Sequence, residues 1–343
     1  MKALFCYSAD DFRLEEIEKP QIQKDEMLIE MLYTGLCGSD IIKIFDPAVK
    51  KPAVFGHEVV GRVVEKGENV SKFNEGDLVV AGHHIPCYTC HYCLHGSYSM
   101  CRHFKETNIY PGSFCQYIRL SKEHIDNTTF KIQPGSNLLE LLFMEPLACC
   151  IRAIDKIKIL KGDIIAVAGA GVIGILFIQL INLYGGRVIA IEPDEGRLLL
   201  AKSLGAEYTV NPKKVKNNNL QIQNRIRSIA TEGADAAVLS VTNKDTMGAA
   251  LSYIRDGGTV IIFGAAGKES VMEVDFQNIY KRELTITGSY SATPETLHRA
   301  YNMIIEKEIK LSPLISEAMP LSDFKKGLDM MLQKKIYKAI FRL

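Results

Sequence analysis

The chain has 343 residues, of which 47% are hydrophobic, and 41 basic side chains against 40 acidic ones, for a net charge of +1. That length favours two domains over one, and the apolar share is enough for ordinary globular cores. The near-zero charge removes the electrostatic case for a nucleic acid or an anionic membrane as partner.

The opening Met1-Lys2-Ala3-Leu4-Phe5-Cys6-Tyr7 has too short an apolar run for a secretory signal, and Asp10 and Asp11 follow; the expected location is cytoplasmic. Residues 1–150 read as short strands broken by turns, with 27–33, 59–64 and 78–81 the clearest and Asn74-Glu75-Gly76-Asp77 turning into the last. Such a pattern makes a β-rich barrel or sandwich domain. From about Lys161 strand and helix alternate: strand 164–168, helix 172–184, strand 188–191, helix 196–204, then strands at 236–241, 259–263 and 284–288. This is the signature of a doubly wound parallel sheet. Residues 164–186 carry no charge and are long enough to cross a bilayer. Gly169, Gly171 and Gly174 cut that stretch into strand, turn and helix, so a buried βα unit accounts for it. Residues 213–221, with three consecutive asparagines, read as a solvated loop. The tail, with helices expected at 294–308 and 324–334, returns to the first domain. The expected division is 1–150 with 287–343, against 151–286.

Three groups of residues carry chemistry. The first is Gly169-Ala170-Gly171-Val172-Ile173-Gly174, lying between an apolar strand and an apolar helix. In that context the glycines permit a tight turn, close approach of a pyrophosphate and close helix–strand packing, and the helix N-terminus offers unpaired N–H groups to phosphate. Glu192 ends the next strand; there it accepts hydrogen bonds from the adenine ribose and repels a 2′-phosphate, which favours NAD over NADP. Arg197 either stacks on adenine or tolerates the extra phosphate. Phe263 and Gly264, closing a later strand, complete the candidate cofactor-binding set.

The second group is Cys87, Cys90, Cys93 and Cys101, spaced C-x2-C-x2-C-x7-C. Four thiolates close a tetrahedron around Zn²⁺ and leave no open position, so the site is structural. A ferredoxin-type iron–sulfur site would need an x3 last gap and a following proline, whereas Arg102 follows an x7 gap here. His91, His95 and His103 nearby read as loop residues. Nine cysteines without an export signal argue against a disulfide framework and for metal. Cys6, Cys115, Cys149 and Cys150 are expected in the core.

The third group is Cys37, His57, Glu58 and Glu145, which spacing alone does not join. Singly they read as a small buried residue, a packed loop histidine and a helix-start carboxylate before Pro146.

The segments Gly35-Leu36-Cys37-Gly38-Ser39-Asp40 and Gly56-His57-Glu58-Val59-Val60-Gly61, then Gly67, Val70, the four-cysteine lobe and the glycine motif, occur in an order covering the whole chain. Together they resemble the zinc-containing medium-chain alcohol dehydrogenase family. The resemblance implies a GroES-like β-rich catalytic domain with an inserted Rossmann domain, two zinc ions per chain, NAD, and a homodimer or homotetramer. It implies that Cys37 and His57 bind the catalytic zinc with Glu58, Glu145 or both. Met144-Glu145-Pro146 is similar to the sorbitol, galactitol-1-phosphate and threonine dehydrogenase branch. Asp40 matches the carboxylate that orients the zinc histidine, and Ser39 the hydroxyl that takes the substrate proton. Ile42 stands where many relatives carry the histidine that ends the proton relay, which leaves water for that step. Three protein ligands leave a position for substrate oxygen, and the metal stabilises the alkoxide from which hydride leaves for nicotinamide.

The substrate expected from this resemblance is a secondary alcohol of a polyol or sugar alcohol, free or phosphorylated. Lys43, Lys50 and Lys51 either meet a phosphate or form a solvated loop edge. A threonine-type amino alcohol is the second enzymatic reading. A non-catalytic NAD-binding protein of the same fold is the third, since fold does not fix function; the joint presence of Cys37, Ser39, Asp40, His57 and Glu145 argues against it. Both cysteine-bearing clusters disfavour a zinc-free quinone reductase.

Overall fold

The computed structural model describes residues 1–215, 219–264 and 271–343. In chain order the strands are β1 (Lys2–Cys6), β2 (Phe12–Glu16), β3 (Met27–Gly35), β4 (Glu58–Lys66), β5 (Leu78–Ala81), β6 (Tyr117–Leu120) and β7 (Thr129–Lys131). There follow β8 (Ile164–Ala168), β9 (Arg187–Ile191), β10 (Ala206–Val210), β11 (Ala234–Leu239), β12 (Ile254–Ile262), β13 (Thr285–Gly288), β14 (Met319–Pro320) and β15 (Ile340–Arg342). The chain forms two compact units, residues 1–148 with 292–343, and residues 149–291.

The first unit is built on a mixed sheet in the order β14-β15-β3-β4-β5-β7, with β6 also pairing β3 and β1-β2 forming a separate hairpin. The apolar run of β3 is buried for most of its length, as a strand covered on both faces must be. Met27, Ile29, Val59, Val63, Phe73, Val79 and Ile118 make one core on this sheet. A second core joins Leu36 and Phe114 to Phe324 and Phe341 from the C-terminal segment. Each such side chain, once fully buried, contributes about 1.5–3 kcal/mol. Phe341 pairs with Thr34 across the antiparallel β15–β3 ladder, so the tail that follows the second unit is stitched into the centre of the first.

The second unit is a parallel sheet in the order β10-β9-β8-β11-β12-β13. Numbered within the unit this is 3-2-1-4-5-6, the doubly wound arrangement with its switch point between β8 and β11. All five residues of β8, Ile-Ile-Ala-Val-Ala, are buried, and the helix Val172–Leu183 that follows is buried continuously from Gly174 to Ile181. This is where the charge-free stretch goes. Among the described residues, no helix is long and apolar enough to cross a membrane.

One expectation about a segment is corrected. Of the loop expected over 213–221, residues 212–215 form a short 3-10 turn and a helix, Asn219–Arg227, begins at the last asparagine; residues 216–218 lie outside the described residues. Ile222 and Ile226 of that helix are buried one turn apart, an apolar pair that outweighs the local polarity.

Candidate active site

In the first unit the four cysteine sulfurs converge. Cys87 Sγ lies 3.5 Å from Cys101 Sγ and 4.0 Å from Cys93 Sγ, and Cys90 Sγ lies 3.6 Å from Cys93 Sγ. A tetrahedron with Zn–S bonds of about 2.3 Å has edges of roughly 3.8 Å, so the donor set fits zinc. Hydrogen bonds from the backbone around Thr89 and Cys90 hold the Cys87 thiol down at about 6, close to the thiolate that a metal binds. Burial pushes Cys93 the other way, up to about 12. His91 and His103 are not in loops: Cys90 and Cys101 stand at the N-caps of the short helices His91–Leu94 and Arg102–Glu106. The turns of the cysteine knot start those helices. His103 Nε2 pairs with Glu123 at 2.9 Å, and His95 Nδ1 donates to the His91 carbonyl at 2.7 Å; neither joins the thiols.

The same unit assembles the second group. Cys37 caps the helix Gly38–Phe45, and its N–H donates to Asp40 Oδ2 at 3.2 Å. Asp40 is fully buried; its Oδ1 accepts the Gly56 N–H at 3.4 Å and lies 3.2 Å from His57 Nδ1. The opposite nitrogen, His57 Nε2, is 4.0 Å from Glu145 Oε2. Glu145 stands in the first turn of the helix Met144–Ile154. Donor atoms of Cys37, His57 and Glu58 all lie within 4.8 Å of one another. Thiol, imidazole and carboxylate converging in this way fit a zinc site, and Asp40 behind the ring fixes which nitrogen faces the metal. Burial disfavours a charged His57, yet Asp40 and Cys37 outweigh it and hold the imidazole well above its ordinary value. Burial would raise Asp40, but His57 and Lys43 hold it below the usual carboxylate range. Ser39 is exposed on the same helix, and Ile42 is 48% exposed.

Three residues absent from the sequence reading complete the surroundings. Lys338 is 3% exposed and places Nζ 2.5 and 2.6 Å from the two oxygens of Glu58, with Phe143 on its other side at 5.0 Å. The Glu58 carboxylate occupies the space a side chain at position 35 would need, since a Cβ on Gly35 would fall 1.9 Å from Oε2. Burial pushes Glu58 up, against the pull of Lys338 and His57. His83 and His84 follow β5. Their rings make a train, His57–His83 at 4.6 Å, His83–His84 at 4.0 Å and His84–Phe104 at 4.8 Å, that ends in the cysteine lobe. His84 Nδ1 donates to the Thr107 carbonyl, and burial pushes the ring down to about 4. The signal for Lys338 was one cation inside the apolar run Ile336-Tyr337-Lys338-Ala339-Ile340-Phe341, a place where lysine needs a partner.

Lys43, Lys50 and Lys51 do not form one group. Lys50 and Lys51 line a cavity of about 530 Å³ with Tyr7, Ser8 and Pro47, and Lys43 is not among its walls. Lys51 donates to the Asp46 carbonyl at 3.1 Å.

In the second unit the glycine loop joins β8 to the helix Val172–Leu183, with Gly171 at the N-cap. Gly169 has φ +93°, and a Cβ on Gly174 would fall 1.9 Å from the Gly169 carbonyl, so the loop packs onto the helix with no room for a side chain. Ser240 Oγ donates to the Ala168 and Gly169 carbonyls at 2.7 and 3.2 Å. Val172 and Ile173 supply the first N–H groups of the helix. Glu192 is buried at the end of β9; Oε2 accepts the Ala170 N–H at 2.9 Å and Oε1 the Asp194 N–H at 3.1 Å. The carboxylate thus braces the loop, and each oxygen keeps a further lone pair. Arg197 Nη1 would stand 3.6 Å from a Cβ on Gly171. Phe263 packs edge-on to Phe177 at 4.9 Å, and the Gly264 N–H donates to the Leu239 carbonyl at 2.9 Å.

Comparison with known proteins agrees with this geometry. Residues 23–129 match the alcohol dehydrogenase GroES-like domain and residues 172–306 the zinc-binding dehydrogenase domain. The chain is 31% identical to a sorbitol dehydrogenase of Halalkalibacterium halodurans, covering 95% of both proteins. It is 31% identical to a D-arabitol-phosphate dehydrogenase of Enterococcus avium, covering 96% of this chain and 94% of that one. The crystal structure of galactitol-1-phosphate dehydrogenase from Escherichia coli superposes with a TM-score of 0.87 at 25% identity over 100% of both chains. The chain therefore belongs to the zinc-containing medium-chain alcohol dehydrogenase family, as an enzyme that uses zinc and a nicotinamide cofactor on an alcohol.

Proposed function

We propose that the enzyme oxidises a secondary alcohol of a polyol or sugar alcohol to the ketone, reversibly, with NAD as hydride acceptor. The observation that carries this reading is the His57 imidazole, held between Asp40 and Glu145 with Cys37 beside it. The first unit is the catalytic domain and the second binds the cofactor. When bound, zinc supplies the Lewis acid that makes the alcohol acidic, and the nicotinamide takes the hydride. Cys37 and His57 are two of its ligands. Glu145, whose Oε2 lies 4.0 Å from His57 Nε2, or Glu58, whose donor atom converges with those of Cys37 and His57 while Lys338 neutralises its charge, is the third. A carboxylate in place of a second thiolate makes a harder site, suited to oxygen-rich substrates. Ser39 takes the hydroxyl proton, and with Ile42 beyond it the proton leaves through water. The four-cysteine lobe holds a second, structural zinc.

The negative charge of Glu192 beside the glycine loop favours NAD, and Arg197, near Gly171, is read as stacking on the adenine. The similarity to a sorbitol and a D-arabitol-phosphate dehydrogenase supports the substrate class. A homodimer or homotetramer is supported by β13, an edge strand of its sheet near the exposed Phe276 and Tyr280, since an open edge invites a partner strand. The grouped thiols suit the reducing cytoplasm.

The test is the formation of reduced nicotinamide by zinc-loaded protein on a panel of polyols, threonine and simple alcohols, with NAD and NADP in parallel and metal content determined on the same sample. Turnover of polyols with about two zinc per chain is expected. Preference for threonine reassigns the substrate, and full zinc occupancy without turnover of any alcohol removes the catalytic reading.

A further inference from the structure

We infer that His83 is a specificity-determining residue: its imidazole hydrogen-bonds the substrate hydroxyl on the carbon next to the carbinol, so that the enzyme selects vicinal diols over alcohols with a single hydroxyl. This inference rests on the polyol reading above and names the residue that recognises the second hydroxyl.

His83 follows β5, and its backbone is fixed on both sides. The Gly82 N–H donates to the Thr128 carbonyl at 2.9 Å, and the His83 carbonyl accepts His124 Nε2 at 3.1 Å. The ring stands between two others, with His57 at 4.6 Å and His84 at 4.0 Å. His83 is 8% exposed. A side chain so deeply buried is expected to give its nitrogens partners, and the neighbouring buried histidines do. His84 Nδ1 donates to the Thr107 carbonyl; His124 takes the Ser121 hydroxyl at 2.8 Å on one nitrogen and the His83 carbonyl on the other. Among the described residues, no hydrogen bond or ion pair reaches the ring nitrogens of His83. They are not among the fully enclosed polar atoms left without a partner, so they open on a space that a ligand can enter. The converging metal donors are those of Cys37, His57 and Glu58, and His83 is not one of them.

A ring that lies against a proposed metal ligand without being a ligand itself is a neighbour of the substrate that the cluster receives. A neutral imidazole offers one N–H donor and one acceptor nitrogen, and a hydroxyl offers the same pair. The other polar groups around the cluster are already engaged: Glu58 by Lys338, and Asp40 by His57, Gly56 and Cys37. His83 is therefore the side chain left to meet a second hydroxyl. An alcohol with one hydroxyl, seated there, leaves those nitrogens buried and unpaired. A site built to hydrogen-bond a substrate hydroxyl rejects the analogue lacking it for this reason.

The experiment compares two matched pairs, 1,2-propanediol with 2-propanol and 2,3-butanediol with 2-butanol, together with D-sorbitol, for the zinc-loaded wild type, His83→Phe and His83→Gln. Phenylalanine keeps a ring between His57 and His84 and removes its nitrogens; glutamine gives up the ring and keeps a donor and an acceptor. The wild type is expected to prefer the diol of each pair. In His83→Phe the ratio of kcat/KM for diol over single alcohol should fall about 10- to 100-fold, the range for a lost buried partner, with metal content and melting temperature as in the wild type. His83→Gln should keep most of the preference. Calorimetric binding of D-sorbitol to the NADH-bound protein, where no hydride can pass, should weaken in His83→Phe and much less in His83→Gln. Turnover of D-sorbitol without a diol preference, a ratio unchanged in His83→Phe, or a larger loss in His83→Gln than in His83→Phe overturns the inference and leaves the polyol reading standing. Absence of turnover on D-sorbitol and both diols, with zinc bound, overturns that reading and this inference with it.

Discussion

Two donor sets in the same unit fit zinc, and they are built in opposite ways. The lobe draws Cys87, Cys90, Cys93 and Cys101 from one short run, and its four sulfurs satisfy one another's geometry. The second cluster brings together Cys37 after β3, His57 and Glu58 at the start of β4 and, 4.0 Å from the ring, Glu145 from a helix far along the chain, and it is wrapped in charged neighbours, Asp40 and Lys338. A closed shell needs little from its surroundings. An open one, as proposed for the second set, must have each ligand aimed from outside so that a coordination position is kept for substrate.

The contrast is testable in order of size. His57→Ala should lower kcat/KM by roughly 10³-fold or more by removing a ligand of the electrophile, while metal analysis still finds about one zinc per chain, in the lobe; loss of both metals would mean that the two sites are not independent. Lys338→Met leaves a buried carboxylate without its cation and should destabilise the fold by about 3–5 kcal/mol in denaturant titrations. The double variant with Glu58→Leu should recover most of that, and failure to recover would assign Lys338 another role. Cys90→Ser should lower the melting temperature by roughly 5–10 °C through loss of the structural metal, with a smaller effect on kcat than His57→Ala. Asp40→Asn keeps the shape but weakens the orientation of His57, and should cost about 10- to 100-fold in metal affinity, read by chelator competition.

The smallest effect concerns His84, which lies between the two sets. Its folded value of about 4 is below the ordinary imidazole value of about 6.5, so the unfolded chain binds the extra proton first as pH falls. The contribution to stability is whole above about pH 6.5, shrinks through the interval down to about 4, and adds nothing further below that. His84→Gln should flatten the acid limb of the stability curve over that interval; an unchanged limb would place the acid sensitivity elsewhere.

The same contrast explains how much could be read from the chain. The lobe and the glycine loop are written in spacing, because their function lies in one turn of backbone or one knot of thiols. Five of the six parallel strands were legible from period and punctuation, as apolar runs beside helices, whereas β10, whose sequence Ala-Glu-Tyr-Thr-Val is not an apolar run, was not read. The open cluster was not legible in that way: Cys37, His57, Glu58 and Glu145 became a group only through resemblance to a family. Of its surroundings, Asp40 and Glu58 came with that resemblance, while Lys338, His83 and His84 were missed. Lys338 meets Glu58 across 280 positions, and only the β15–β3 ladder brings that tail back to the start of β4. The three lysines were grouped because they are near in sequence, whereas Lys43 is not among the walls of the cavity that Lys50 and Lys51 line with Ile44 and Phe45 of the Lys43 helix.

The ring train from His57 through His83 and His84 to Phe104 gives the lobe a meaning beyond its own stability. Phe104 packs against Cys93 and Cys101, and the His57 imidazole, the proposed metal ligand, is flanked by rings that end on it. A descendant of this chain that discarded the lobe would inherit two histidines with nothing to lie against, beside the residue it can least allow to tilt. Loss of the lobe would thus strip the packing from His84 and His83 and, through them, from the ring of His57.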